Sequence, residues 1–190
     1  MALNKVKLGE YIIQSDARNS DDRLGKDSVK GIATSKAFIL TKANLHGVSL
    51  TNYKVVAPRQ FAYVPDTSRR GDKISLAFND ENESYLVSSI SVVFGVKPDC
   101  ERHLLPEYLY LYFCRPEFDR YARFHSWGSA REAFSWEEMC KIEMELPPID
   151  IQKKYVAVFK ALIENRNSAG DVREICPILI RGAIEEGGKS

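Results

Sequence analysis

Cysteine is scarce in this 190-residue sequence and is never paired at close spacing. Cys100, Cys114, Cys140 and Cys176 are scattered without a Cys-x-x-Cys, which excludes a disulfide framework and favours reduced thiols, with Cys114 and Cys140 reading as core residues. Cys100-x-x-His103 has half of a zinc-site spacing, but a structural zinc site takes four ligands in two close pairs, and the second pair is missing. No run of about 18 apolar residues occurs, so no membrane-spanning helix is expected. The first residues, Met1-Ala2-Leu3-Asn4-Lys5, lack the apolar core of a signal peptide, and cytoplasm is the expected location. Net charge is nearly absent too. The 27 Lys+Arg stand against 26 Asp+Glu, so bulk charge gives no indication of a nucleic-acid partner.

Catalytic motifs are missing as well. None of the lysines has Asp or Glu two positions before it, a spacing nucleases use to place metal and base together. Gly188-Lys189-Ser190 has the tail of a phosphate-binding loop, but position 183 is alanine. No glycine-rich dinucleotide fingerprint follows a strand pattern. Pro147-Pro148 follows Leu146 rather than the Asn or Asp with which amino-methyltransferases begin their base-holding motif. His46, His103 and His125 are isolated in sequence, and His125, between Phe124 and Trp127, reads as a packing residue. An enzymatic reading is left only with a site assembled in space.

What is present suits a globular chain: 44% hydrophobic and 28% charged residues over a length of one domain plus an appendage. Residues 54–57, 60–64 and 73–78 read as short strands, and 85–96, rich in β-branched and aromatic residues, as one central strand. The pattern becomes helical over 105–125, where Pro106 fits a first helical position and Pro116 starts a second helix. Ser135-Trp136-Glu137-Glu138 has capping-box spacing for a short helix over Met139 and Cys140. Strands first and helices later predict an α+β fold. Leu146-Pro147-Pro148-Ile149-Asp150 is the clearest boundary, with Asp150 suited to cap a helix beginning there, and divides the chain into domains 1–147 and 148–190.

The second of these carries a heptad seam. Ile151, Tyr155, Val158, Leu162, Asn165, Ala169, Val172, Cys176, Leu179 and Ala183 follow at alternating steps of four and three, flanked by Val156, Phe159, Ile163, Ile180 and Ile184. A long C-terminal coiled-coil helix is expected, packed on a partner helix from elsewhere in a complex or from a second chain. Asn165 resembles a polar register-setting residue, while Gly170 and Pro177 disfavour helix, so a kink or break is expected near residues 175–178.

Near-neutrality hides a split along the chain. Residues 1–78 hold 13 Lys/Arg against 7 Asp/Glu, and 79–147 hold the reverse, 7 against 13. The basic segment is threaded with Asn, Ser, Gln and Tyr, a composition able to contact phosphates and base edges, with arginine matched to guanine and Asn or Gln to adenine. The candidate DNA contacts are Arg69 and Arg70 first, then Arg18, Arg23, Lys26, Lys30, Arg59 and Gln60. Ser129 and Arg131 join them from Gly128-Ser129-Ala130-Arg131, a small-residue turn able to offer backbone N–H groups to a phosphate. A solvated surface and a tight turn at Arg70-Gly71-Asp72 are the plain alternatives.

Several stretches, taken in order, resemble the specificity subunits of type I restriction-modification systems. They are Lys7-Leu8-Gly9-Glu10-Tyr11-Ile12, Arg70-Gly71-Asp72-Lys73-Ile74-Ser75-Leu76, Leu86-Val87-Ser88-Ser89-Ile90-Ser91-Val92-Val93-Phe94 and Leu104-Leu105-Pro106-Glu107-Tyr108-Leu109. Gly128-Ser129-Ala130-Arg131 comes next, and then Glu145-Leu146-Pro147-Pro148-Ile149-Asp150-Ile151-Gln152-Lys153-Lys154. The Leu-Pro-Pro-x-x-x-Gln junction leading into a heptad helix is the strongest of these cues.

The resemblance implies a non-catalytic subunit in which 1–147 is a target recognition domain with a β-sheet core and packed helices, reading one half of a bipartite duplex site. Residues 148–190 would be a conserved helical region for pairing and methyltransferase docking, with Ile151, Tyr155, Val158, Phe159, Leu162, Ile163, Asn165, Val172 and Leu179 at the interface. Such subunits carry two recognition domains and two helical regions, whereas this chain has one of each. The expectation is therefore a half-subunit pairing with itself or with a second half. Its partners would be double-stranded DNA, DNA methyltransferase subunits and, in a restricting system, a restriction subunit. No cofactor is expected in this chain; the partner subunits would use S-adenosylmethionine, and ATP with Mg for restriction. The competing reading is an assembly or regulatory protein that binds methyltransferase subunits through the heptad helix without reading DNA.

Overall fold

In the computed structural model of the chain, residues 5–68, 73–128, 132–164 and 172–188 are described. The strands are β1 (Lys5–Lys7), β2 (Ile12–Ser15), β3 (Lys30–Ile32), β4 (Phe38–Leu40), β5 (Lys54–Val56), β6 (Phe61–Tyr63), β7 (Leu76–Phe78), β8 (Tyr85–Val87), β9 (Val92–Val96) and β10 (Glu143–Glu145). The helices are α1 (Pro106–Phe113), α2 (Pro116–Phe124), α3 (Trp136–Cys140), α4 (Ile149–Glu164) and α5 (Val172–Gly187). This is the expected mixture of strands and helices. Two compact units interleave along the chain instead of dividing once at 147/148. A β unit comprises Ile13–Gly95 with Ser126–Trp136, and a helical unit Met1–Ile12, Val96–His125 and Glu137–Ser190.

The β unit is built from two layers. One is the four-stranded sheet β2-β9-β6-β7, in which β6 pairs antiparallel with both neighbours. Alternation along its strands sorts side chains by size, as the two-residue period of a strand requires. Ala62 faces Ala77 and Val93 across the register, while Phe61 faces Phe78 and Phe94 on the opposite surface. The small face packs in one core with Ile32, Val56 and Val87 of the other layer, where β5 pairs with β8 and Val29 bridges to Leu86. The aromatic face stacks Phe61 on Phe94 at 5.0 Å, with Trp136 at 5.4 Å from Phe94 and Phe134 at 6.2 Å from Tyr63.

The expected single strand over 85–96 is two strands in different layers. Its run carries no Gly or Pro before Gly95, but the Ser91 N–H reaches the Ser88 carbonyl at 2.9 Å and turns the chain between β8 and β9.

The helical unit opens with β1 paired antiparallel to β10, setting Lys5 opposite Glu145 and Lys7 opposite Glu143. The next residues are fixed by close approach. The Leu8 N–H donates to the Ile142 carbonyl at 2.8 Å, and a Cβ on Gly9 would lie 2.7 Å from the Cys140 Cβ. Lys97 Nζ then bonds the Gly9 and Glu10 carbonyls at 3.1 and 2.7 Å. Cys140 is half-buried rather than a core residue, and burial pushes its thiol up; no disulfide joins the four cysteines.

Both α1 and α2 start with proline, as the sequence indicates, and neither has a side-chain cap on its preceding residue. For α1 the missing partner comes from α4. Gln152 is fully buried; its Oε1 accepts the Leu105 N–H at 3.0 Å, and its Nε2 donates to the His103 and Pro147 carbonyls at 2.7 and 2.8 Å. Asp150 is not the cap of α4. The Pro148 carbonyl takes the first bonds, from Ile151 and Gln152, and Asp150 sits in the first turn beside Lys153.

A single long C-terminal helix does not form. α4 and α5 run antiparallel: Lys154 Nζ bonds Glu186 at 2.6 Å, and Cβ atoms on Gly182 and Gly187 would press on Tyr155 and Pro147. Pro177 lies inside α5, forfeiting a backbone bond without ending the helix. Val156 is buried on α4, and Cys176, Leu179, Ile180 and Ala183 on α5, while Phe159 meets Tyr110 of α1 at 6.3 Å. The partner helices expected from another chain are thus found, in part, within this one. Ile151 and Tyr155 are half-buried. Val158, Leu162 and Ile163 stay 39–41% exposed; Asn165 and the side chain of Val172 lie outside the described residues.

Replacing Gln152 by leucine strands one N–H and two carbonyls in a buried site, and should cost about 2–4 kcal/mol. Gln152→Glu should cost more at neutral pH, because a carboxylate accepts only and would face two carbonyl oxygens. Its folded-state pKa would be raised, so the deficit should shrink as pH falls. Urea unfolding at pH 7 and pH 4.5 checks both; equal stability of Gln152→Glu and the parent would remove the clamp.

Candidate nucleic-acid interface

Strand pairing gives the β unit two chemically different ends. At one, the chain turns from β5 into β6 through Pro58 and Arg59, with Arg59 at φ +65°. The Gln60 N–H returns to the Ala57 carbonyl at 3.2 Å, and Gln60 Oε1 accepts the Ala57 N–H at 3.0 Å. The Arg59 N–H donates to the Asn79 carbonyl at 2.8 Å, and the Asn79 amide spans the Val56 and Glu83 carbonyls. This end carries Asp80, Glu81 and Glu83. Arg59 and Gln60 therefore sit beside carboxylates, and the Gln60 carbonyl oxygen is engaged in its own turn.

At the other end of β6, two distant stretches meet. The Thr67 N–H and Oγ1 both donate to the Glu132 carbonyl, at 2.9 and 3.1 Å, and the Phe134 N–H donates to the Pro65 carbonyl at 2.9 Å. Trp127 and Ala133 exchange backbone bonds at 3.1 and 3.0 Å, with Gly128 at φ +141°. That value lies in a region L side chains avoid, so glycine suits it. Asp66 Oδ1 closes the turn over Ser68, accepting its N–H at 3.0 Å and its hydroxyl at 2.6 Å. The flanks of both candidate loops, over sixty residues apart in sequence, are thus held side by side. Arg69, Arg70, Ser129 and Arg131 themselves lie outside the described residues. Trp127, 65% exposed, stands at the base of the second loop.

Arg18 lies opposite Lys54, at the end of β5 remote from the Asn79 turn. Both cations meet one carboxylate: Lys54 Nζ is 3.0 Å from Asp16 Oδ1, and Arg18 Nη2 is 3.2 Å from Asp16 Oδ2. Hydrogen bonds from Lys54 and then Arg18 hold the Asp16 carboxyl below the usual range. Arg23 is similarly matched by Asp21 at 2.9 Å, on a loop closed by the buried Asn19, whose amide bonds both the N–H and the carbonyl of Leu24. Lys26 is exposed in a 3-10 turn (Lys26–Ser28). Lys30 opens β3, its ammonium 5.2 Å from the Tyr85 ring. A groove of about 410 Å³ runs past Lys30 and Lys42, walled by Val29, Ile32, Leu40, Val87 and Ile90.

The candidates therefore do not form one patch. Arg18 and the flanks of residues 69–70 and 129–131 share an end, Lys30 lies along a side, and Arg59 and Gln60 belong to the acidic end. Sequence reading missed Lys54, Asp16 and Lys36 here, although the Asp-x-Arg spacings at 16–18 and 21–23 signal local neutralisation. Chemically these groups offer cations, amides and hydroxyls. Among the described residues no three metal-ligating side chains come together, and the two histidines with ring bonds meet Arg102 and the Tyr121 carbonyl.

No family model matches the sequence, and no curated protein is similar to it. Among solved structures, the chain is similar to the HsdS subunit from Thermoanaerobacter tengcongensis, with a TM-score of 0.60 and 16% identity over 92% of this chain and 44% of that one. It is also similar to the type I restriction-modification system S subunit from M. genitalium, with a TM-score of 0.51 and 10% identity over 85% of this chain and 40% of that one. The likeness is one of fold, and the chain spans less than half the length of either protein.

Asp16 gives this end a pH signature. A carboxyl held down in the folded state stabilises above its unfolded pKa of about 3.9, and that contribution is lost as pH falls through the lower folded value. The parent should melt above Asp16→Asn at pH 6, with the gap closing toward pH 2. A gap that is constant across that range would show that the carboxylate charge is not responsible.

Proposed function

We propose that this chain is a non-catalytic specificity subunit of a type I restriction-modification system, working in the cytoplasm. Its β unit would read one part of a bipartite duplex site, and its C-terminal helices would pair and position methyltransferase subunits. The fold likeness over 92% of the chain supports the reading. The single observation that carries it is the pairing of 65–67 with 132–134, which sets the flanks of two arginine-bearing stretches of sequence side by side at one end of the sandwich.

In this reading phosphate contacts come from Arg18, Lys54 and the arginines at 69, 70 and 131, and base edges are read in the groove from the same end. Arg59 and Gln60 recede from the site, because phosphates would meet Asp80, Glu81 and Glu83 there. S-adenosylmethionine, and ATP with Mg, belong to the partner subunits.

Pairing falls to the part of the heptad pattern left uncovered. Val158, Leu162 and Ile163 form a half-exposed apolar stripe on α4, suited to a second copy or a second recognition half. The buried residues of α5 hold the hairpin together and would not be available.

Binding to duplex DNA at increasing salt tests the reading. A specific reader should show a preferred sequence and lose affinity steeply, with a slope of about 0.9 per neutralised phosphate. Methyltransferase binding with no sequence preference would favour an assembly protein instead. Asp16→Asn, which frees Arg18 and Lys54, should tighten binding and steepen the slope. Leu162→Asp, at an exposed position, should halve the mass in solution or abolish methyltransferase binding while leaving the melting temperature nearly unchanged. An unaltered mass and an intact complex would rule out the stripe.

A further inference from the structure

The β3–β4 turn holds a residue that is unfavourable twice over. The Ala33 N–H donates to the Ala37 carbonyl at 3.0 Å and the Lys36 N–H to the Ala33 carbonyl at 3.2 Å, leaving Thr34, Ser35 and Lys36 as a three-residue loop. The last position of such a loop is left-handed and normally glycine; here Lys36 occupies it at φ +67°. Its side chain is also 1% exposed, so an ammonium is taken out of water. A glycine would relieve the backbone, and a solvent-facing lysine would relieve the charge. The position is therefore explained by what the buried ammonium does. Nζ donates to the Ile74 carbonyl at 2.9 Å, across 38 residues of sequence.

Ile74 is the second described residue after 69–72, and Ser75, next to it, takes the Val64 N–H at 3.0 Å at the end of β6. The same end carries the pairing of Thr67 with Glu132. We propose that Lys36 is a positioning residue for sequence recognition. Its ammonium ties the β3–β4 turn to the strand end that emerges from the arginine-bearing segment, and so holds the recognition elements in one register without touching DNA. Strain and buried charge of this kind concentrate where geometry serves function. The proposal rests on the proposed DNA-reading function.

The test compares the full chain with Lys36→Gly, which removes the ammonium while suiting the left-handed backbone, and with Lys36→Met. Selection from a pool of randomised duplexes, followed by binding to the selected and a scrambled duplex over a salt series, reads discrimination and salt slope separately. Hydrogen exchange over 73–76 reads the tie itself and serves if either variant is weakly folded. The expected result is faster exchange at 73–76, a loss of discrimination of about tenfold or more, and an unchanged salt slope. Unchanged discrimination would reduce Lys36 to a structural role. A uniform loss across sequences, with the slope reduced by about 0.9, would make it a phosphate contact; either result overturns the proposal. Absence of any preference in the parent chain would defeat the DNA-reading function first and Lys36's role with it, whereas a selective parent with selective variants defeats Lys36 alone.

Discussion

One buried amide organises the helical unit. Gln152 joins the first turn of α4 to the segment entering α1, satisfying the Leu105 N–H that no side-chain cap serves and two carbonyls that would otherwise be stranded. A leucine would fill the space but supply neither donor nor acceptor; a glutamate would supply only acceptors where two carbonyls need donors. The requirement extends outward, because Pro147, whose carbonyl Gln152 holds, is also the surface on which Gly187 at the end of α5 comes to rest. The Leu-Pro-Pro-x-x-x-Gln pattern is thus a packing device. The prolines fix the approach, the glutamine locks it, and α5 can close on the result only where it has no side chain.

The β unit is a sandwich whose two ends differ in charge. Its core keeps alanines and valines between the layers and aromatics outside them, so the loops rest on a tightly packed support. Carboxylates gather at the Asn79 turn, whereas Arg18, Lys54, Lys36 and the flanks of two arginine-bearing loops gather at the opposite end. Local ion pairs temper this end: Asp16 and Asp21 each hold an arginine two residues away. Of the described cations at that end, Lys36 and Lys54 are buried, and one carboxylate, Asp16, takes both Arg18 and Lys54.

Much of this was legible in the sequence where local chemistry decides structure. Pro106 and Pro116 mark the starts of α1 and α2, and the β-branched and aromatic runs mark β5, β6 and β7. The residues from 85 to 96 misled because serines make the turn at 88–91, and serine does not announce a turn as glycine or proline does. The heptad seam identified apolar positions on α4 and α5 but not their partners, since periodicity is the same whether the covering helix belongs to this chain or another. On α4 the buried stripe includes Gln152 and Val156, which flank the expected seam. The charge split picked out the candidate residues, while their distribution between two ends of the β unit depends on strand register. Lys36 could not have been foreseen, as nothing in its neighbours signals a buried ammonium in a left-handed turn.

The central claim, that this chain directs a methyltransferase to a sequence, is tested most directly in cells by methylome sequencing with and without the chain in the presence of type I methyltransferase subunits that bind it. The expected result is a new methylated motif, split by a spacer and palindromic if two copies pair, that disappears when the chain is absent. Methylation that is unchanged on adding the chain, despite intact binding to the methyltransferase, would contradict it.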